Sequence, residues 1–210
     1  GFVNSGIMKL RQAIGIINIL VDGNYHLPLL KTISAVLDLL NVPSAKNVEL
    51  LAQLQEFFVQ RVKNMMGDQG IRYDVIDAIL NEKANDDIVD LFVRSKALAE
   101  YVETSEAAES IQAFTRVVNL CKKAEGETII NESLFVEPAE KELYEVVCRL
   151  QKETIPALVA YNYADVLKLI NEVSAPVNKF FDTVMVMDKD ENVKNNRLAL
   201  LVQVKETASM

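Results

Sequence analysis

The chain has 210 residues, half of them apolar, and a formal net charge of −8. No apolar run approaches the roughly 20 residues that cross a bilayer, and no signal peptide opens the sequence. These features favour a cytoplasmic protein that makes no membrane contact. The acidic excess lies within residues 81–210, which argues against DNA binding and confines any RNA binding to a local basic patch.

Apolar residues recur at helical spacing through the first part of the chain. The first helix is expected to end at Gly23, and Pro28 suits the first turn of a second helix that runs to about Leu40. Ser44 is placed to cap a third helix, which the run MGDQG at 66–70 ends. The apolar stripes expected to face the core are Ile7, Leu10, Ile14, Ile17 and Val21 in the first helix, Val48, Leu51, Leu54, Phe58 and Val62 in the third, and Val75, Ile76, Ile79 and Leu80 in a short fourth.

The same spacing continues in the second part of the chain. A helix is expected from about Asp87 to Val102, and Ser105 begins the next. Pro138 starts another helix, and Pro156 marks its break or kink. The remaining stripes, in chain order, are Ile88, Leu91, Phe92 and Leu98; Ile111, Phe114, Val118 and Cys121; Leu143, Val146, Val147 and Leu150; Val177, Phe180, Phe181 and Val184; and Val193, Leu200, Leu201 and Val204.

These patterns predict an all-α helical bundle, because no segment alternates apolar and polar residues convincingly. The polar run NEKANDD at 81–87 coincides with the change in charge. We therefore expect a domain boundary there, which divides the chain into residues 1–85 and 86–210.

An acidic turn separates two apolar segments near the end of the chain. Asp188, Asp190 and Asn192 match the start of a calcium-binding loop, but Val193 stands where that loop needs glycine and Ala199 where it needs glutamate. The turn is better interpreted as a chain reversal with a cap for the following helix, since Asp and Asn accept hydrogen bonds from free N–H groups.

Residue types that carry catalysis are sparse. The single histidine, His26, has no Ser-His-Asp or Cys-His arrangement around it, and the glycines form no phosphate-binding loop. Cys121 and Cys148 lie in helix-like runs and are expected to be free thiols rather than a disulfide. They also lack the spacing of a zinc site. We therefore expect no catalytic residue, metal or cofactor within this sequence.

Several motifs together resemble one family. FFDTVMVMDKDENVKNNRLALL at 180–201 resembles the end of the DALR anticodon-binding domain, which closes arginyl-tRNA synthetase and the beta subunit of bacterial glycyl-tRNA synthetase. Four further segments resemble the glycyl beta subunit in the same order, and through them the chain is identified as the C-terminal part of a member of that family. They are KLRQAIGIINIL at 9–20, FFVQRVKNMMGDQGIRYDVIDAIL at 57–80, FTRVVNLCKKAEG at 114–126 and NESLFVEPAEKELY at 131–144.

The resemblance implies a DALR-type anticodon-binding domain at 86–210 and a helical segment before it at 1–85. It implies a non-catalytic, tRNA-binding module of glycine–tRNA ligase, which holds the anticodon arm of glycine tRNA. A separate alpha subunit would activate glycine with ATP within a heterotetramer, so no cofactor is expected in this stretch. Two alternatives stay open: a helical module that only contacts the alpha subunit, and the anticodon-binding domain of arginyl-tRNA synthetase.

Three groups of side chains are candidates for RNA contact, because Arg and Asn suit the edges of unstacked bases while Lys and Arg hold phosphates. In the alternative structural interpretation, Arg116 and Arg197 bridge helices through carboxylates such as Asp182, and the asparagines satisfy backbone groups. The groups are Arg61, Lys63 and Arg72; Arg116, Asn119, Lys122 and Lys123; and Lys194, Asn196 and Arg197.

Overall fold

The computed structural model describes the backbone of residues 2–41, 44–81, 86–124 and 129–208, and the side chains of all of these except residues 2–10 and 44–46. Within these ranges the secondary structure is helical, which confirms the all-α class. The helices are α1 (Phe2–Asp22), α2 (Leu29–Leu39), α3 (Ser44–Asp68), α4 (Tyr73–Leu80), α5 (Ile88–Val102), α6 (Ser105–Cys121), a 3-10 helix (Glu132–Leu134), α7 (Pro138–Val159), α8 (Tyr163–Asn171), α9 (Ser174–Thr183) and α10 (Glu191–Ala208).

Two compact units make up the chain, residues 1–99 and 100–210. Their division falls inside α5, further along the chain than the polar run at 81–87. The start of α5 belongs to the first unit because the residues before it are tied to the loop between α1 and α2. There the Asp87 carboxylate lies 2.8 Å from Nδ1 of His26.

The first unit is built around α3, which packs against α1, α2 and α4. The N-terminus of α2 is capped from a distance, because the Asp86 carboxylate accepts hydrogen bonds from the backbone N–H groups of Leu30 (2.6 Å) and Lys31 (2.9 Å). The predicted break after α3 is confirmed at Gly70, which has a φ of 82° that favours glycine. The side chain of Ser44, which was predicted to cap α3, lies outside the described residues.

The second unit is built around α7 and α10. Helix α10 packs against α6 and α7, and α7 also packs against α8 and α9. A continuous apolar cluster fills much of the unit, and α10 is buried along much of its length. The cluster's fully or almost fully buried side chains include Val117, Leu143, Val147, Leu150, Val177, Phe180, Leu198, Leu200, Leu201 and Val204.

Helix α7 continues through Pro156. The prediction of a break at this proline is therefore wrong. The ring is exposed, and so is Lys152 one turn earlier, whose carbonyl loses its helical partner. Water can satisfy a carbonyl on that face. The helix ends just afterwards, where the N–H of Ala160 donates to the Pro156 carbonyl at 3.1 Å and Tyr161 turns to a φ of 54°.

The apolar stripe predicted for α6 does not face the core as a whole. Ile111 is 54% exposed and Val118 is 40% exposed, whereas Ala113 and Val117 are buried. The core therefore takes the face of small residues, because α6 lies close to α10. The larger apolar side chains line an open groove beside it instead.

Candidate nucleic-acid interface

The acidic turn caps α10, as the sequence predicts. The Asp190 carboxylate accepts hydrogen bonds from the backbone N–H groups of Asn192 (2.8 Å) and Val193 (3.4 Å). The Asp188 carboxylate accepts one from the N–H of Asp190 at 3.0 Å. The two contacts of Asp190 satisfy N–H groups that the start of α10 leaves open. Burial alternates along the preceding VMVM segment, with Val184 and Val186 buried and the two methionines exposed.

Arg197 is held inside the second unit by two carboxylates. Its Nε donates to Glu140 at 2.9 Å, and its Nη1 donates to Asp188 at 2.8 Å and to the Met185 carbonyl at 2.9 Å. Arg197 is 3% exposed and Glu140 is fully buried. Burial lowers the pKa of the guanidinium, but the hydrogen bonds and charges of Glu140 and Asp188 outweigh this effect and raise that pKa above its ordinary value. We therefore assign Arg197 a structural role, with Glu140 and Asp188 as partners in place of Asp182.

Asn196 makes a reciprocal pair with the backbone of Asn131. Its Oδ1 accepts the N–H of Asn131 at 2.7 Å, and its Nδ2 donates to the Asn131 carbonyl at 3.1 Å. Two segments singled out by resemblance, NESLFVEPAEKELY and NNRLALL, thus join each other through the contacts of Asn196 and Arg197. Asn196 is itself buried. The structure therefore favours a structural role for Asn196 as well.

The remaining cation of this third group is on the surface of α10. Lys194 pairs with Glu191 one turn earlier at 2.5 Å. Such a pair at a helix start contributes little to stability and leaves the ammonium charge partly neutralised. The third group therefore presents little positive charge to a ligand.

The first group lies in the first unit and is also paired. Lys63 donates to Asp77 at 2.7 Å and to the Tyr73 hydroxyl at 3.0 Å. The hydrogen bond from Lys63 to Asp77 is the largest cause that raises the lysine pKa. Arg72 and Asp74 form a two-point contact, with hydrogen bonds of 3.1 and 2.7 Å.

Arg61, the other member of the first group, stacks on its own helix. Its guanidinium carbon lies 3.8 Å from the centroid of the Phe57 ring, one turn earlier, and Nη1 donates to the Phe57 carbonyl at 3.3 Å. With the two pairs described above, every cation of the first group has a partner in its own unit.

The second group differs because its cations are exposed at the end of α6. The Arg116 guanidinium carbon lies 4.3 Å from the centroid of the Phe181 ring on α9. Lys122 donates to the Asn119 side chain at 3.2 Å, and Lys123 follows in the turn. Among the described residues, no carboxylate pairs with these three cations. The stacked guanidinium keeps its in-plane donors and one face open for a phosphate or a base.

Two groups near this surface were missed by sequence reasoning. Lys205, in the last turn of α10, and Tyr101, in the last turn of α5, both line the groove beside α6. Lys205 lies close enough to Cys121 for its charge to oppose the rise in thiol pKa that burial causes. No local motif marks these residues, since only the packing of α10 on α6 brings Lys205 there.

We expect the Asp188 carboxylate to make the stability of the second unit depend on pH. The N–H of Asp190 is the largest cause that holds the pKa of Asp188 below its ordinary value, and Arg197 lowers it further. A carboxyl whose pKa falls on folding stabilises the protein above its unfolded pKa of about 3.9. This contribution is lost as the pH falls through the lower, folded-state pKa.

We expect Asp188→Asn to remove that part of the acid dependence. Urea unfolding of both proteins from pH 7 to pH 2 would show the wild-type advantage shrinking below about pH 4. Asp182→Asn, an exposed carboxyl on α9, is the control with the same chemical change. An unchanged advantage of wild type over Asp188→Asn down to pH 2 would contradict the expected linkage.

The described residues also bear on metal binding and on membrane insertion. No three His, Cys, Asp or Glu side chains in that part of the chain are grouped so that they could hold a metal ion. None of the described helices is both long and apolar enough to span a membrane.

Comparison with known proteins identifies the family. Residues 110–209 match the model of the DALR anticodon binding domain, and residues 10–81 match that of the glycyl-tRNA synthetase beta subunit. The chain is 40% identical, over 94% of its length, to the glycine–tRNA ligase beta subunit of Clostridioides difficile (strain 630). The chain belongs to the glycyl-tRNA synthetase beta-subunit family.

Further members of the glycyl-tRNA synthetase beta-subunit family show the same extent of similarity. The chain is 39% identical over 91% of its length to the beta subunit of Desulforamulus reducens, and 37% identical over 93% to that of Shewanella pealeana. It spans 28% of the length of each of these relatives and corresponds to their C-terminal part. The match at 10–81 decides against arginyl-tRNA synthetase, which the motif at 180–201 alone left open.

Proposed function

We propose that this chain is the tRNA-binding module of a glycine–tRNA ligase beta subunit, and that the second unit holds the anticodon arm of glycine tRNA. In this proposal a cytoplasmic alpha subunit activates glycine with ATP and transfers it, and the module supplies no reacting group. Membership of the beta-subunit family and the match of residues 110–209 to an anticodon-binding domain support it.

The observation that carries the proposal is the exposed basic surface formed by Arg116, Asn119, Lys122 and Lys123. It stands at the end of α6, where the C-terminal carbonyls of the helix add negative partial charge that the lysines offset. Residues 114–123 contain three cations and no acidic residue, within a chain of net charge −8. A local concentration of cations in an acidic chain is what RNA phosphates require.

Most candidate residues of the first and third groups have no part in the proposed RNA contacts. Arg197 and Asn196 are buried, and the cations of the first group have partners in their own unit, so the second group is left as the RNA-binding surface. Arg116 suits a phosphate or a stacked base, Lys122 and Lys123 suit phosphates, and the Asn119 amide suits a base edge.

A titration of glycine tRNA with the 210-residue chain tests the proposal. We expect Arg116→Ala, Lys122→Ala and Lys123→Ala together to weaken binding at least tenfold. If each cation meets one phosphate of the loop, the slope of log affinity against log salt should fall by about 2, since each contact with a single strand contributes about 0.7.

The matched control removes the same charge elsewhere in the second unit, through Lys141→Ala, Lys152→Ala and Lys168→Ala. Lys141 and Lys168 pair with Glu145 and Asp165 on their own helices. Equal losses in the two triple variants would mean that only net charge matters, and the basic surface on α6 would then not be the site.

A second function is favoured by a different observation in the first unit. Val36, Leu39 and Leu40 follow one face of α2 and its end, and all three are exposed, as is Val48 on α3. A cluster of large, exposed apolar side chains often marks a site of contact with another protein. This surface suits contact with the alpha subunit, which would bind the chain in the absence of tRNA.

A further inference from the structure

Three large apolar side chains are exposed beside the buried ion pair of the second unit. Met185 is 74% exposed and Val136 is 63% exposed, and Met187 is exposed as well. The two methionines stand on either side of Val186, which is buried. The side chains of Val136, Met185 and Met187 are called the methionine surface below.

The buried ion pair brings the two parts of the methionine surface together. The N–H of Val136 donates to Glu140 at 2.9 Å, and the same carboxylate accepts from Nε of Arg197 at 2.9 Å. Nη1 of Arg197 then donates to the Met185 carbonyl at 2.9 Å. Consecutive hydrogen bonds therefore join the backbone of Val136 to that of Met185, 49 residues later. Because Glu140 and Arg197 are buried, these bonds hold the surface in a fixed place on the unit.

The surroundings of the methionine surface are acidic. It belongs to residues 132–140 and 182–191, which together contain seven acidic residues and one lysine. Counted with the two cations of α10 that pair with them, Arg197 and Lys194, these segments carry a net charge of −4. Carboxylates therefore flank an apolar centre in both segments.

We propose that the methionine surface binds a basic, amphipathic segment of a partner protein. The apolar side chains of that segment pack on Val136, Met185 and Met187, and its Lys or Arg side chains meet the flanking carboxylates. Methionine is flexible and polarizable and is enriched at protein interfaces, so it suits such a contact. The same carboxylates repel RNA phosphates, and a second copy of this chain would bring two acidic rims together. Binding of the segment requires no RNA at the end of α6.

Titration of the 210-residue chain with a synthetic peptide tests the methionine surface. The probe is a peptide of leucine and lysine with leucine along one face, about 18 residues long so that it forms a helix. We expect binding to shift the methyl NMR signals of Met185 and Met187 and to leave that of Met66, which is buried, in place. Binding should weaken as salt is added, because opposite charges attract the peptide.

Met185→Gln together with Met187→Gln should weaken peptide binding by about fivefold or more, because glutamine keeps the side-chain length and removes apolar contact. The matched control is Ile155→Gln together with Val159→Gln, which changes two exposed apolar side chains of α7. Ile155 lies about 22 Å along that helix from Glu140. The control should alter binding by no more than about twofold.

Four results would overturn the methionine surface. The first is that the leucine–lysine peptide leaves the signals of Met185 and Met187 unchanged. The second is equal binding of a peptide with glutamate in place of lysine, and the third is an equal loss in the two double variants. The fourth is that glycine tRNA shifts both methionine signals and displaces the peptide, which would assign the surface to RNA.

Discussion

Replacing Arg197 with methionine is expected to lower the free energy of unfolding of the second unit by about 3–5 kcal/mol, because one buried charge loses its partner. Glu140 is fully buried and accepts hydrogen bonds from Arg197 on one oxygen and from the backbone N–H groups of Val136 and Glu137 on the other. Methionine preserves most of the side-chain volume, so the loss reports the charge of Arg197 and its hydrogen bonds to Glu140, Asp188 and the Met185 carbonyl rather than its packing. Urea unfolding followed by circular dichroism measures it.

A second substitution separates charge from packing. Glu140→Gln removes the charge and keeps an oxygen that can accept from the backbone, so adding it to Arg197→Met should restore roughly 1–2 kcal/mol. Lys194→Met removes a partly exposed cation from the same helix and should cost less than about 0.5 kcal/mol. If Arg197→Met costs no more than Lys194→Met, the buried ion pair does not hold the unit together.

The adjacent phenylalanines of α9 should differ strongly in their effects on stability. Phe180 has no exposed surface and lies in the core of the second unit, so Phe180→Ala should cost about 3–5 kcal/mol through lost burial and the cavity that remains. Phe181 is only partly buried, so Phe181→Ala should cost about 1 kcal/mol. Urea unfolding of both variants provides the comparison, and each serves as the control for the other.

Phe181→Ala has a further use, because the Phe181 ring carries the Arg116 guanidinium. Without the ring, Arg116 loses its stacking partner and samples more conformations. The variant should therefore weaken tRNA binding more than its small effect on stability suggests. Equal costs of unfolding for the two alanine variants would contradict the assignment of one ring to the core and the other to the surface.

Much of the helical architecture could be predicted from periodicity, and the exceptions have physical causes. The caps and breaks at Asp190 and Gly70 are local in sequence, so their chemistry could be recognised there. The inward face of α6 could not be predicted, because both candidate faces are apolar. Only the approach of α10 selects the face with small residues. Pro156 was misjudged because the lost helical bond falls where water can replace it.

The candidate site was only partly predictable for a related reason. Residue type and exposure identify a cation, but the partner that neutralises it is often distant in sequence. Arg116 and Arg197 look alike beside apolar stripes, yet the first lies on the surface over Phe181 and the second lies between Glu140 and Asp188. Packing of α10 against α7, which no local pattern encodes, decides between these outcomes.

The joined segments of the second unit have a consequence for synthesis on the ribosome. Glu140 pairs with Arg197, which lies 57 residues later in the chain, and Asn131 pairs with Asn196, 65 residues later. Until the final helix has left the exit tunnel, the earlier helices carry an uncompensated acid where their core should form. Because these contacts join residues that are distant in sequence, we expect the second unit to fold late, after most of it has been translated.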